Sequence, residues 1–332
     1  MYLAKDNIYY VCQNVKIEKT DKNSGYRMYV AVLSFKNKMT ESIREMIPQP
    51  EGTLAAGLLF GGSGELSERV KNNFSKTGMT HIVAVSGYNV AIIAEYLILL
   101  GIFLGLWRQK AFWFAIVGIF FFVAMIGFPS SAVRAGVMGS LLLWAMKNGR
   151  LANAWNAILF AGAIMLLINP LLLVWDIGFQ LSFLATIGIV ALSPFWERYF
   201  MRKYQFMGLM EIMLLSLSAQ IFVLPIIAYN FHTFSVISLV ANILILPIIP
   251  LTMLLVFSVS VFGLFLKPLA LVFAWLAFLP LKYEVLVINF LGELSWSSRV
   301  VEKVGWQFFM LWYGVLALVS YWVNKKIKND LL

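Results

Sequence analysis

The chain has 332 residues, 61% of them hydrophobic and 13% charged, with a net charge of +10 and a mean hydropathy of +0.82. Soluble domains hold roughly 45–50% apolar and about 25% charged residues, so these values exclude a water-soluble fold, which could not hide this much apolar surface. A single cysteine, Cys12, excludes an internal disulfide and a thiolate metal cluster.

Residues 1–40 differ from the rest. The stretches 7–17 and 26–35 are rich in Tyr, Val and Ile and flank Lys22-Asn23-Ser24-Gly25, which predicts two strands and a turn. This N-terminal stretch lacks the basic flank and apolar run of a signal peptide. Residues 41–80 read as one or two amphipathic helices broken at Gly61-Gly62-Ser63-Gly64. Phe60, Leu66, Val70 and Phe74 recur at helical spacing among Lys and Glu, which predicts an interfacial position.

From residue 81 onward, apolar runs long enough to cross roughly 30 Å of hydrocarbon follow one another. They predict an all-α polytopic membrane bundle of about nine helices, at 81–106, 111–127, 130–147, 152–168, 171–193, 209–229, 235–266, 268–292 and 306–324. Trp107, Trp113, Trp196, Tyr229, Trp296, Trp306 and Trp322 fall near run ends, where interfacial anchors sit. The seventh run is too long for one straight crossing and contains Pro247 and Pro250, so it is expected to be broken or kinked.

The loops alternate in charge. Arg108, Lys110, Lys147, Arg150, Arg198, Arg202, Lys203, Lys267, Lys325, Lys326 and Lys328 follow the odd-numbered runs, whereas the loops near 128, 169 and 231 carry no Lys or Arg. The excess of positive charge on the cytoplasmic side therefore puts the C-terminus inside and the first 80 residues outside. Sorted this way, the cytoplasmic loops carry +9, the first 80 residues +3 and the remainder −2. Most of the basic charge thus sets topology and is no argument for nucleic-acid binding.

Polar residues inside spans mark functional candidates, because each is costly there. The stretch GFPSSAVR over 127–134 places Ser130 and Arg134 four apart on one helix face, with Ser131 beside them. The stretch DIGFQLS over 176–182 does the same for Asp176 and Gln180, followed by Ser182. Arg134 and Asp176 each lie about five residues inside the outer boundary, roughly 7 Å deep at 1.5 Å per residue. A buried Arg134–Asp176 pair is therefore expected, either as a structural salt bridge or as the lining of a hydrated path. The stretch HIVAVSGYNV over 81–90 supplies His81, Ser86 and Asn89, and Gly87 allows another backbone to approach closely. Gln220 and Asn242 add polar sites in the sixth and seventh runs. No G-x-S-x-G elbow and no P-loop is present, so neither a serine hydrolase nor a nucleotide-driven motor is indicated.

Taken together, GLLFG over 57–61, Phe74 with GMTHIVAVSG over 78–87, PSSAVRA over 129–135, Asn169-Pro170 with DIGFQLSF over 176–183, and ANILILP over 241–247 resemble the competence domain of the ComEC family of DNA-uptake channels. The resemblance runs from about Gly57 to the C-terminus. It implies passage of single-stranded DNA across the bacterial cytoplasmic membrane in natural transformation, with no cofactor. The implied partners are single-stranded DNA, membrane lipid, and separate competence proteins that supply a DNA receptor, a nuclease or a motor. His81, Ser86, Asn89, Ser130, Ser131, Arg134, Asp176, Gln180, Ser182, Gln220 and Asn242 are then the candidate translocation path or structural polar network.

The chain departs from the family pattern in three respects. Residues 1–40 resemble only the tail of the family's extracellular OB-type domain. Residues 41–80 are expected to be interfacial helices and 81–332 the competence domain, and the metallo-β-lactamase-like domain in which many family members end is expected to be lacking. His81 and His232 are its two histidines, too few for a two-metal hydrolase site, so the chain is expected not to be an enzyme. Tyr88-Asn89 stands where the family often has Leu-His. A transporter of another solute, or a non-transporting subunit on the same scaffold, is the alternative reading.

Overall fold

The computed structural model describes residues 27–62, 66–148, 153–196, 207–301 and 305–329. Within them the chain is almost wholly helical. It begins with α1 (Arg27–Met46), α2 (Glu51–Phe60), α3 (Glu68–Lys76) and α4 (Thr80–Val83). Next come α5 (Gly87–Phe103), α6 (Arg108–Met125), α7 (Ser130–Lys147), α8 (Ala154–Ile168), α9 (Leu172–Trp175) and α10 (Ile177–Trp196). After α11 (Met207–Phe231) and a short strand β1 (Thr233–Ser235) come α12 (Ser238–Ile245), α13 (Ile249–Phe262) and α14 (Lys267–Gly292). The strand β2 (Ser298–Val300) and α15 (Trp306–Asn329) close the described part.

Four helices, α6, α10, α11 and α14, are long and apolar enough to cross a membrane, and the bent pair α12–α13 makes a fifth. The apolar helices α2, α5, α7, α8 and α15 are shorter. Large apolar side chains cover the outer faces: Phe103 is 87% exposed, Leu167 85% and Trp275 78%. An aqueous surface could not carry patches of this extent, whereas lipid accepts them, so the chain is a membrane protein.

Two expectations for the N-terminal region are corrected. The stretch 26–35, read as a strand, lies in α1 from Arg27 onward. Its Val and Tyr residues mimic strand composition, but Met39, Ser42 and Ile43 form a buried stripe at helical spacing further along the same helix and dock it. The other predicted strand, 7–17, lies outside the described residues. The second correction concerns α2. It is no amphipathic surface helix, since all ten of its residues are buried. It is enclosed by α1, α4, α13 and α14. Downstream, Leu66 lies buried just before α3, and Val70 and Phe74 give α3 a buried apolar stripe, as the spacing predicts. That helix packs on α14, where Asn73 Nδ2 donates to Asn289 Oδ1 at 2.9 Å. Gly292 permits the contact, because a Cβ there would lie 2.7 Å from that of Asn73.

The predicted break in the seventh run is present: α12 and α13 meet at 55°. Its chemistry follows from proline. Pro250 has no N–H, so the carbonyl of Leu246, four residues earlier, loses its helical donor. The Tyr88 hydroxyl donates to that oxygen at 3.3 Å. The turn also frees Leu244 O, since Ile248 N bonds Ile245 O instead, and the Tyr283 hydroxyl donates to it at 3.3 Å. The same repair recurs in α11. Pro225 strips the donor from Ile221 O, and Trp312 Nε1 of α15 supplies one at 3.0 Å. Such substitutions are what let prolines persist in membrane helices.

The two strands were not anticipated. They pair antiparallel, Thr233 opposite Val300 and Ser235 opposite Ser298, and so join the loop after α11 to the loop after α14.

Candidate polar site at the α7–α10 interface

Helix α7 is started by Pro129, which adopts the extended conformation just before the first helical residue. Asp176 starts α10 in a different way. Its Oδ1 accepts the backbone N–H of Phe179 at 2.9 Å, satisfying one of the free donors of the first turn. Ser130 Oγ donates to the same Oδ1 at 3.3 Å, tying the two helix starts together. The helices then run side by side in parallel, and each further contact lies deeper along both.

One turn into α7 sits Arg134, 8% exposed. Its Nε donates to Ser182 Oγ at 2.6 Å, and its Nη1 donates to Thr186 Oγ1 and lies 3.6 Å from Met138 Sδ. The guanidinium carbon stands 5.8 Å from the centre of the Phe183 ring, within range of a cation–π contact. The expected pairing with Asp176 is therefore replaced by hydroxyls from the next two turns of α10. The depth estimate failed because it counted from residue 171. The run is in fact interrupted, and Asp176 belongs to the helix start, not its interior. The ion pairs among the described residues, Arg69–Glu293, Lys71–Glu68 and Lys267–Glu45, involve exposed side chains, and Arg134 enters none of them.

The remaining nitrogen, Nη2, packs on α5. A Cβ added at Gly87 would come within 2.7 Å of it, so glycine lets the guanidinium rest against the helix backbone, and a larger residue would push it aside. Gly87 and Arg134 both line a cavity of about 190 Å³ between α5, α6 and α7, whose other walls include Val90, Ala94, Met138 and Leu142. Among the described residues, the hydrogen bonds of Arg134 leave from Nε and Nη1. The site is thus a buried cation, held by neutral groups beside an apolar cavity. A charge so placed is unfavourable until an anion joins it.

The other predicted residues divide between this site and its scaffold. Ser131 Oγ donates to Val85 O at 3.0 Å and fastens α7 to the segment before α5. Asn89 is 1% exposed. Its Nδ2 donates to Leu58 O at 2.9 Å and Ile82 O at 3.4 Å, and its Oδ1 accepts from Ser86 Oγ at 2.9 Å. These bonds knit α2, α4 and α5 together. Gln180 Nε2 donates to Leu173 O and Val174 O and so caps α9. His81 contacts Gly78 O through Nδ1 at 3.0 Å and is exposed. Asn242 is buried on α12, where its Oδ1 has no hydrogen-bond donor among the described residues. Gln220 is half-buried on α11. The structure thus brings Ser130, Arg134, Asp176 and Ser182 to one interface and assigns Ser86, Asn89, Ser131 and Gln180 to bonds that hold the scaffold. Thr186 and Met138 were missed. Both lie at helical spacing, Thr186 four residues after Ser182 and Met138 four after Arg134, and that spacing was the available signal.

The family described as Competence protein matches residues 58–326. ComE operon protein 3 of Bacillus subtilis (strain 168) is 27% identical over 310 residues, covering 91% of this chain and 36% of that protein. The chain therefore spans about a third of the length of that relative. No solved structure matches significantly.

Proposed function

The chain belongs to the competence protein family, and from that premise we propose that it forms the membrane core through which single-stranded DNA enters the cell during natural transformation. The observation that carries the reading is Arg134. A buried guanidinium without a carboxylate partner among the described residues, lining a cavity, suits a ligand that brings its own negative charge. A DNA strand brings one phosphate per nucleotide and cannot enter hydrocarbon unaided. Ser182 and Thr186 hold the cation in place, and Phe183, buried against Phe179, backs it from the side away from the cavity.

The proposed topology is nine crossings in the cytoplasmic membrane, with the N-terminal segment outside and the C-terminus inside. The pairing of β1 with β2 supports it, since that ribbon joins two loops assigned to the outer face. The contact between Ser130 and Asp176 supports it in the same way. The chain conducts without cutting in this reading, and separate competence proteins supply receptor, nuclease or motor.

The test is DNA internalisation by cells whose only copy carries Arg134→Ala or Arg134→Lys. Loss with Ala and at best partial recovery with Lys is expected, because lysine lacks the planar fork that bonds Ser182 and Thr186 while reaching a phosphate. Full internalisation by the Ala variant would refute the role of Arg134. A transporter of a small anionic solute is the second reading. The size of the cavity, about 190 Å³, favours it, since that volume is below the usual range for drug-sized ligands.

A further inference from the structure

A second buried ionisable group lies away from Arg134, at the break between α12 and α13. Glu284 of α14 is 1% exposed, and Thr252 of α13 is fully buried. Thr252 Oγ1 stands 2.6 Å from Glu284 Oε1 and 3.2 Å from Ile248 O, the carbonyl just before α13. A hydroxyl has one proton to give. If the carboxyl is ionised, Thr252 must donate to it and the contact with Ile248 O lapses. If the carboxyl holds a proton, Glu284 donates to Thr252 and Thr252 donates to Ile248 O, so that both contacts are hydrogen bonds together.

The surroundings favour the second arrangement. Helices α12 and α13 carry no charged residue. On the other packed elements, α2 contributes Glu51, and α3 contributes Glu68, Arg69, Lys71 and Lys76, of which Arg69 is paired with Glu293 and Lys71 with Glu68. Helix α1 contributes Arg27, Lys36, Lys38, Glu41, Arg44 and Glu45, the last paired with Lys267 of α14. On α14 itself Lys282 lies over the Phe278 ring, and the Tyr283 hydroxyl is committed to Leu244 O. None of these groups forms an ion pair with Glu284. An ionised, unpaired carboxylate at such a site would cost several kcal/mol or would move toward water.

We infer that Glu284 and Thr252 form a proton-binding site at the break in the α12–α13 span. A metal cation is a poorer occupant, because two side-chain oxygens fall short of the six to eight that a hard cation gathers. The site links proton occupancy to the broken helix. Tyr283 and Glu284, consecutive on α14, grip the two sides of the break, and release of the proton leaves a charge that only displacement of α13 from α14 can hydrate. The inference rests on this geometry alone and is independent of what the chain transports.

Infrared spectroscopy of the purified full chain in lipid nanodiscs tests it. At neutral pH the wild type should show a carbonyl band from a protonated carboxylic acid that shifts in D₂O and is lost in Glu284→Gln. Thr252→Val should keep the band and move it to higher frequency, because the hydrogen bond is gone. Retention of an unchanged band in Glu284→Gln would overturn the inference. If that variant does not fold, Thr252→Val decides alone: a shifted band supports the site, and an absent or unmoved band overturns it.

Discussion

Replacing Arg134 with Met separates a structural role from a ligand-binding one. Methionine fills much the same volume and contacts Phe183, but it donates no hydrogen bond. If the guanidinium exists to hold α7 to α10, the variant forfeits its bonds to Ser182 and Thr186. Bonds to a charged group contribute about 1.5–3 kcal/mol each, so the loss would be on the order of 3–6 kcal/mol. The surroundings argue for a smaller figure. The cation is 8% exposed and has no carboxylate partner among the described residues, so its removal also cancels a desolvation penalty of several kcal/mol. The hydroxyls it leaves are less demanding, since Thr186 Oγ1 already donates to Ser182 O at 2.9 Å. The expected outcome is a stability change of about 1 kcal/mol or less, measured by denaturant titration of the purified chain in detergent, together with loss of DNA internalisation in cells. A destabilisation above about 3 kcal/mol would refute the reasoning and return Arg134 to the role of structural glue.

Further predictions concern the scaffold around the site. Gly87→Ala places a methyl group 2.7 Å from Arg134 Nη2. The methyl group meets the far end of a flexible side chain, so the guanidinium is the part that yields; uptake should fall with little change in melting temperature, and an unchanged uptake would show that Arg134 tolerates displacement. Asn89→Leu keeps the branched shape and the number of side-chain heavy atoms but leaves Leu58 O and Ile82 O without their shared donor. A destabilisation of about 1–3 kcal/mol is expected in the same titration, and a neutral result would contradict its scaffold role. Trp312→Phe removes the donor to Ile221 O and should cost about 1 kcal/mol. In a Pro225→Ala background, residue 225 has an N–H of its own to give to that carbonyl, so the same substitution should cost less. Equal costs in the two backgrounds would contradict the repair account.

Several features could be read from the residues alone because their chemistry is local. Pro247 and Pro250 foretold the break, since a missing N–H acts wherever the helix packs. The family resemblance carried by PSSAVRA, DIGFQLSF and ANILILP is borne out by the match over 58–326. Gly87 announced a close approach, although what approaches is a guanidinium and not a backbone. What depends on register between helices was not legible. Arg134 was matched to Asp176 by counting from an assumed boundary, and the interruption at Asp176 moved the true partners to Ser182 and Thr186. Composition misled at 26–35, where Tyr and Val suggest a strand but the buried stripe of Met39, Ser42 and Ile43 docks a helix. The enclosure of α2 was equally hidden. The apolar run over 54–60 looks the same whether it lies in an interface or sits inside a bundle. Tyr88-Asn89, a departure from the family pattern, acquires a meaning from its partners Leu246 and Leu58, which are distant in sequence.

The central claim is passage of a DNA strand, and it is tested most directly in cells lacking the gene for this chain. Competent deletion cells would be exposed to labelled DNA, treated with external nuclease, and assayed for label inside the protoplasm. The account predicts binding of DNA at the surface but no protected internal label, with recovery on re-expression of the intact chain. Normal internalisation in the deletion strain would contradict it.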